Sequence, residues 1–232
     1  MKSPMFILAI IIISSSIFNV VYGIPWKAEQ HKGTENKHQH LLNQTHRFGE
    51  QIRAIFLGDS ITEGWLNNGH NVWKQFYESR HSFNYGISGD RTEHVLWRID
   101  HGEFDGLHPT VIVLMIGTNN ISIKDTPGDI AKGIKMILEK LHEKMRETQI
   151  LLLSIFPRGG DTPDKNVAEI NEIIQHFHDE ESLVYYLEVT NDFEIGPGKV
   201  IDKLYVSDHL HLNEKGYEMW QKVMEPEFSK LL

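Results

Sequence analysis

Ile52-Arg-Ala-Ile-Phe-Leu-Gly-Asp-Ser60-Ile-Thr-Glu-Gly64 is an apolar run that closes on glycine and turns at once into a polar stretch. Such a run reads as a buried strand, and the segment from Ile61 towards Arg80 reads as partly helical. Gly58-Asp59-Ser60 then stands at the strand's carboxyl end, the edge at which open α/β sheets bind ligands. A serine on that turn has the unpaired N–H groups and the positive dipole end of the next helix beside it. That setting stabilises an alkoxide or an oxyanion. A serine can equally sit there as a plain helix cap, so other residues must decide.

Outward from this stretch, strands and helices alternate. Ser82-Phe-Asn-Tyr-Gly-Ile87 is a short strand, after which Asp90 is placed to cap a helix with Val95, Leu96 and Ile99 on one face. Thr110-Val-Ile-Val-Leu-Met-Ile116 is continuously apolar, as a strand covered on both faces must be. Thr126-Pro127 opens a helix whose stripe is Ile130, Ile134, Ile137, Leu138, Leu141 and Met145. The strand Gln149–Ile155 follows, then a helix opened by Thr162-Pro163 with Val167, Ile170, Ile174 and Phe177 inward. Leu183–Leu187 is a fifth strand, and a helix from near Asn213 carries Trp220, Val223, Met224 and Phe228. Five strands alternating with helices predict an α/β fold with a parallel sheet covered on both faces, a single domain over 51–232.

The 232 residues are 40% hydrophobic and 24% charged, enough for one well-buried domain and too little for two. A formal charge of -9 without any basic run excludes nucleic acid as an expected partner. With no cysteine, disulfides, thiolate catalysis and Cys-ligated zinc are excluded. Lys2, the apolar Met5–Ile13, the polar Ser14–Ser16 and the small Gly23 preceded by Val21 match a signal peptide over 1–23, so a secreted protein is expected. The apolar run is shorter than the roughly 20 residues of a membrane span. Residues 24–50 are polar and contain His31, His38, His40 and His46, and read as a flexible arm. Asn43-Gln-Thr45 is a glycosylation sequon in that arm.

Three more short segments fall at or just beyond the predicted strand ends. In Gly86-Ile-Ser-Gly89-Asp90 the glycines let a backbone N–H approach a ligand. In Gly117-Thr-Asn119-Asn120 an amide side chain can donate to an oxyanion. Asp208-His209-Leu210-His211 offers an imidazole base with a carboxylate one turn away to fix its tautomer. Each block alone has an ordinary reading as a turn. Three rivals compete with Ser60 chemistry: Ser88 as nucleophile, a metal hydrolase using Asp208, His209 and His211, and a non-catalytic lipid- or carbohydrate-binding domain. Asp90 stands where a G-x-S-x-G elbow needs glycine, which counts against Ser88.

Together, Phe56-Leu-Gly-Asp-Ser60-Ile-Thr-Glu-Gly64, Gly89, Gly117-Thr-Asn119 and Asp208-x-x-His211 resemble the four blocks of the SGNH, or GDSL-type, hydrolase family. Within it, Asn84–Asp90 and His94-Val-Leu-Trp97-Arg98 resemble the catalytic subunits of platelet-activating factor acetylhydrolase Ib, and bacterial GDSL acetylesterases carry similar stretches. The resemblance implies a flavodoxin-like three-layer α/β/α fold on a five-stranded parallel sheet. It implies Ser60 as nucleophile, Asp208 and His211 as its partners, and an oxyanion hole of the Ser60 N–H, the Gly89 N–H and the Asn119 amide. No metal and no cofactor are expected, since no further ligand cluster accompanies Asp208, His209 and His211. Position 88 is Ser where those subunits have Gly, and His209 adds a second histidine. Asn119 in the site makes the sequon at Asn120 a poor glycan acceptor. Short connections leave no lid for a long acyl tail, so the expected substrate is a small ester, an acetylated lipid or carbohydrate. Trp65 and Leu66 are expected to wall the acyl pocket. A homodimer is compatible with the sequence.

Overall fold

The computed structural model describes residues 23–159, 164–196 and 198–232. The signal peptide expected over 1–23 thus lies outside the described residues except for Gly23. The strands are β1 (Ala54–Gly58), β2 (Ser82–Gly86), β3 (Val111–Met115), β4 (Gln149–Leu153) and β5 (Val184–Leu187). All pair in parallel, in the order β2-β1-β3-β4-β5. This is the flavodoxin-like order, and its switch point lies between β1 and β3. Gly58 pairs with Gly86 on one side and Met115 on the other, so the carboxyl ends of β1, β2 and β3 are level. Whatever follows those three strands is gathered at one edge.

The helices are α1 (Glu35–Phe48), α2 (Ser60–Glu63), α3 (His70–Phe76), α4 (Thr92–Asp100), α5 (Thr118–Ser122), α6 (Pro127–Lys144), α7 (Lys165–Ile174) and α8 (Glu214–Leu231). Among the described residues no helix is long and apolar enough to cross a membrane. Strand alternation divides the core in two. Ile55, Leu57, Ile112, Leu114, Ile150 and Leu152 face the stripes of α4, α6 and α7. Phe56, Val113, Met115, Leu151 and Leu153 face α3 and α8. Thr126 caps α6 by accepting from the Asp129 N–H, with Pro127 in the first turn, and Asn213 caps α8 through the Gly216 N–H.

Several expectations are corrected. Residues 24–50 are not a flexible arm. Helix α1 packs on the domain through Leu41 and Thr45, each 4% exposed. The rest of its dock is polar: the Thr45 hydroxyl bonds the Tyr85 hydroxyl, and the Gln44 amide donates to the Asn84 carbonyl. A face held by hydrogen bonds leaves no apolar stripe for periodicity to find. Asp90 does not cap α4, whose cap position is Arg91. The helix expected to open at Thr162-Pro163 begins at Lys165 with the Asp164 carboxylate capping it; Thr162 and Pro163 lie outside the described residues.

Trp65 is not a pocket wall. Its side chain is 0% exposed and packs among Phe56, Trp73, Tyr77, Tyr217 and Trp220, with ring centroids 4.7–6.2 Å away. Leu66, beside it, is 46% exposed. A buried aromatic of this size contributes mainly by packing. Trp65→Ala is expected to lower stability by roughly 3–5 kcal/mol, read by urea denaturation; a loss under about 1 kcal/mol would contradict a core role.

Candidate active site

The chain leaves β1 through Gly58, where any Cβ would come within 2.3 Å of both the Thr62 hydroxyl and the Met115 carbonyl. Only glycine lets α2 begin so close to the sheet. Asp59 caps α2, its Oδ1 accepting from the Ile61 N–H at 2.9 Å. Ser60 is therefore held at the first helical position. Its Oγ lies 2.8 Å from His211 Nε2.

The loop ahead of α8 delivers the imidazole. Asp208 Oδ1 accepts from the Leu210 and His211 N–H groups, both at 2.9 Å, and its Oδ2 lies 2.7 Å from His211 Nδ1. Partial burial pushes the Asp208 carboxyl up, but the bonds from the His211 ring and the two N–H groups outweigh it. The carboxyl stays below its ordinary value. The Asp208 and His211 side chains are 46% and 37% exposed, so the site lies open.

On the other side of Ser60 the chain leaves β2 into Ser88-Gly89-Asp90. Gly89 has φ +81°, a left-handed conformation that favours glycine. The Ser88 N–H donates to Glu63 Oε2 at 2.8 Å, and Lys37 pairs with the other oxygen of Glu63. After β3, the half-buried Asn119 donates one amide hydrogen to the Asp90 carbonyl at 2.8 Å. An amide carries two such donors, which leaves the second for a ligand. Arg158 steadies this segment by donating to the Thr118 carbonyl at 2.6 Å and to its hydroxyl at 2.9 Å. Asn120 is fully buried and holds the Thr92 N–H and Glu93, as befits a poor glycan acceptor.

The structure thus brings together Ser60, Asp208 and His211, and puts Gly89 and Asn119 at the neighbouring strand ends. Among the described residues Ser60 is the serine whose hydroxyl meets an imidazole, and Ser88 holds a turn by its backbone. His209 does not join Asp208 and His211 as a ligand set. It takes a left-handed φ of 52° and its Nδ1 lies 3.2 Å from Asp202. A cavity of about 490 Å³ beyond β4 and β5 is lined by Arg158, Asn171, Glu188 and Thr190, not by Ser60 or His211.

Sequence reading missed a buried polar cluster beneath Gly89. Arg98, 2% exposed, donates to Asp90 Oδ2 at 2.6 Å, to Glu103 Oε2 at 2.9 Å and to the Tyr85 carbonyl at 2.6 Å. His31 and His38 from the segment ahead of β1 contact the same two carboxylates, at 2.8 and 2.7 Å. Burial pushes the neighbouring His94 imidazole down to about 3, so it is neutral at physiological pH. The only sequence signal was an arginine at an inward position of α4.

The family model described as GDSL-like lipase/acylhydrolase matches residues 56–219. The chain belongs to this family. As a GDSL-like acylhydrolase it is an esterase. It is 30% identical over 202 residues to rat platelet-activating factor acetylhydrolase IB subunit alpha2, covering 84% of each chain. It is 29% identical over 180 residues to the human alpha1 subunit, covering 74% of this chain and 75% of that one. A GDSL-like lipase from Bacteroides thetaiotaomicron superposes with a TM-score of 0.68 at 18% identity, over 84% of this acylhydrolase and 98% of the lipase. A carbohydrate esterase of family 3 from Talaromyces cellulolyticus gives 0.62 at 18% identity, over 78% and 97%.

Asp59 gives the acylhydrolase a pH-dependent stability term. Its carboxyl is fully buried, and burial pushes it from 3.8 up to about 7, with the nearby Asp90 charge adding and the Ile61 N–H opposing. The folded state then keeps a proton that the unfolded state loses near pH 4. This group therefore disfavours folding progressively as pH rises from about 4 to about 7. Asp59→Asn keeps an oxygen for the Ile61 N–H and cannot ionise. Its melting temperature relative to the parent is expected to climb across that window and level off above it; a difference flat with pH would contradict the buried acid.

Proposed function

We propose that this GDSL-like acylhydrolase is a secreted serine esterase that cleaves short-chain esters, acetyl above all. The observation that carries the reading is the 2.8 Å contact between Ser60 Oγ and His211 Nε2, with Asp208 behind His211 at 2.7 Å. His211 Nε2 takes the Ser60 proton as Oγ attacks the ester carbonyl. Asp208 keeps the other nitrogen protonated and stabilises the imidazolium without itself taking the proton. The carbonyl oxygen becomes an oxyanion, met by the Ser60 N–H, the Gly89 N–H and the free hydrogen of the Asn119 amide. His211 then returns its proton to the departing alcohol. Water repeats the sequence on the acyl-enzyme, releasing the acid and restoring Ser60.

Short acyl chains are supported by the openness of the site, where the Asp208 and His211 side chains are 46% and 37% exposed. A deep apolar trough would reward each buried CH₂ by about 0.8 kcal/mol. The acetylhydrolase relatives point the same way, towards an acetylated lipid or carbohydrate. A non-catalytic binding domain would have no use for a hydroxyl, an imidazole and a carboxylate in line. Secretion is supported by the pattern of residues 1–23.

Ser60→Ala is expected to abolish ester turnover with the fold intact by circular dichroism. In the parent, kcat/KM for acetyl, butyryl, octanoyl and palmitoyl esters of one alcohol should fall beyond butyryl. Turnover surviving in Ser60→Ala would overturn the nucleophile, and rates rising beyond butyryl would overturn the short-chain preference. Protein recovered from the medium of secreting cells should begin near Ile24; a cytosolic product retaining Met1 would contradict secretion.

A further inference from the structure

His31, Asp90 and His94 are the one group of His and carboxylate side chains, among the described residues, whose ligand atoms cluster within 4.8 Å. The rings rule out a shared metal ion. A coordinated ion lies in the plane of each imidazole that binds it, and these rings stack at 4.3 Å with planes only 13° apart. Planes so nearly parallel do not meet within bonding distance. His94 Nδ1 also accepts from the Arg91 N–H at 3.1 Å, and Arg98 already occupies the second oxygen of Asp90. The cluster serves another purpose.

Its position says which. Asp90 is fully buried, with Oδ1 2.8 Å from His31 Nδ1 and Oδ2 2.6 Å from Arg98. The carbonyl of the same residue takes the Asn119 amide at 2.8 Å. The preceding residue is Gly89, and a Cβ there would come within 3.1 Å of His31 Cε1. His31 therefore touches the oxyanion loop twice: by a hydrogen bond to Asp90, and by ring contact over Gly89. His94 stacks on the His31 ring as a neutral platform. Farther along the same segment, Lys37 pairs with Glu63, which holds the Ser88 N–H.

We propose that His31 is a positioning residue of the oxyanion hole: by holding Asp90 and covering Gly89 it sets where the Gly89 N–H and the Asn119 amide point. The proposal rests on the esterase reading above. Without the imidazole, one oxygen of a fully buried carboxylate loses its donor. Such a group does not stay put; it turns towards another donor and takes its own backbone with it. Oxyanion donors act on charge that exists only in the transition state, so their displacement lowers kcat and spares KM. Outright removal of one donor costs a hundredfold or more, and displacement should cost less.

The test compares three substitutions at His31 in the full mature chain, with an acetyl aryl ester. His31→Ala should lower kcat about tenfold with KM within about twofold. His31→Asn, whose amide can donate to Asp90 from nearly the same point, should regain most of that loss. His31→Phe, which keeps the stack and the cover over Gly89 but not the donor, should stay low. Leu41→Ala, which loosens α1 away from Asp90, should lower the melting temperature but not kcat measured well below it. If His31→Ala fails to fold, the contrast between Asn and Phe decides. Parent kcat in His31→Phe, an Asn variant as slow as the Phe variant, or a loss confined to KM would overturn the proposal. So would an equal kcat loss in Leu41→Ala. A parent without ester turnover would overturn both readings, whereas an active parent indifferent to His31 would overturn this one alone.

Discussion

Burial of the Arg98 guanidinium is the constraint on which this structure turns. Removing a cation from water costs several kcal/mol unless geometry compensates, and compensation here takes Asp90, Glu103 and the Tyr85 carbonyl together. Each partner comes from a different place: the end of β2, the turn before α4 and the loop after it. Satisfying one charge thus fixes the exit of β2 relative to α4. The two carboxylates are left with an oxygen each, which His31 and His38 occupy. A segment poor in aliphatic residues is thereby tied to the domain by polar contacts. Its removal would expose buried charge as well as the carbon that Leu41 covers.

The same constraint reaches the chemistry. Asp90 faces the cation with its side chain and Asn119 with its carbonyl. The exits of β2 and β3 are therefore joined through one residue, while Gly58 lets α2 sit against Met115 from the other direction. Ser60, Gly89 and Asn119 stand on three level strand ends whose spacing the sheet dictates. Asp208 and His211 arrive on the loop ahead of α8, which is braced within itself by Asp208.

Much of this was legible in the residues. The central strands announced themselves because covered parallel strands are continuous apolar runs, as Val111–Met115 shows. The site blocks could be read together because their order resembles that of the GDSL-type family, whereas each alone has an ordinary reading as a turn. Helix α1 could not be read, since hydropathy detects carbon against carbon and this helix docks through His38, Gln44 and Thr45. Trp65 misled for a related reason. A tryptophan following a nucleophile looks the same whether it faces the substrate or Trp73, and only the fold of α8 over it decides. The Arg98 cluster joins residues such as His31 and Asp90, 59 positions apart, a separation over which local pattern is silent.

The distance along the chain between Ser60 and His211, 151 positions, carries a consequence for how the protein is made. Synthesis runs from the amino end, and domains assemble as their parts emerge. The serine, the glycine turn and the asparagine are all produced well before the base. Until α8 and the loop ahead of it are added, the Ser60 hydroxyl lacks its imidazole partner, and the sheet face that carries Phe56 is covered by α3 alone of its two helices. The two deficits end with the same few residues. On the proposed esterase reading, no incomplete chain carries the Ser60–His211 pair, and the end of the chain supplies both that pair and the last helix of the core.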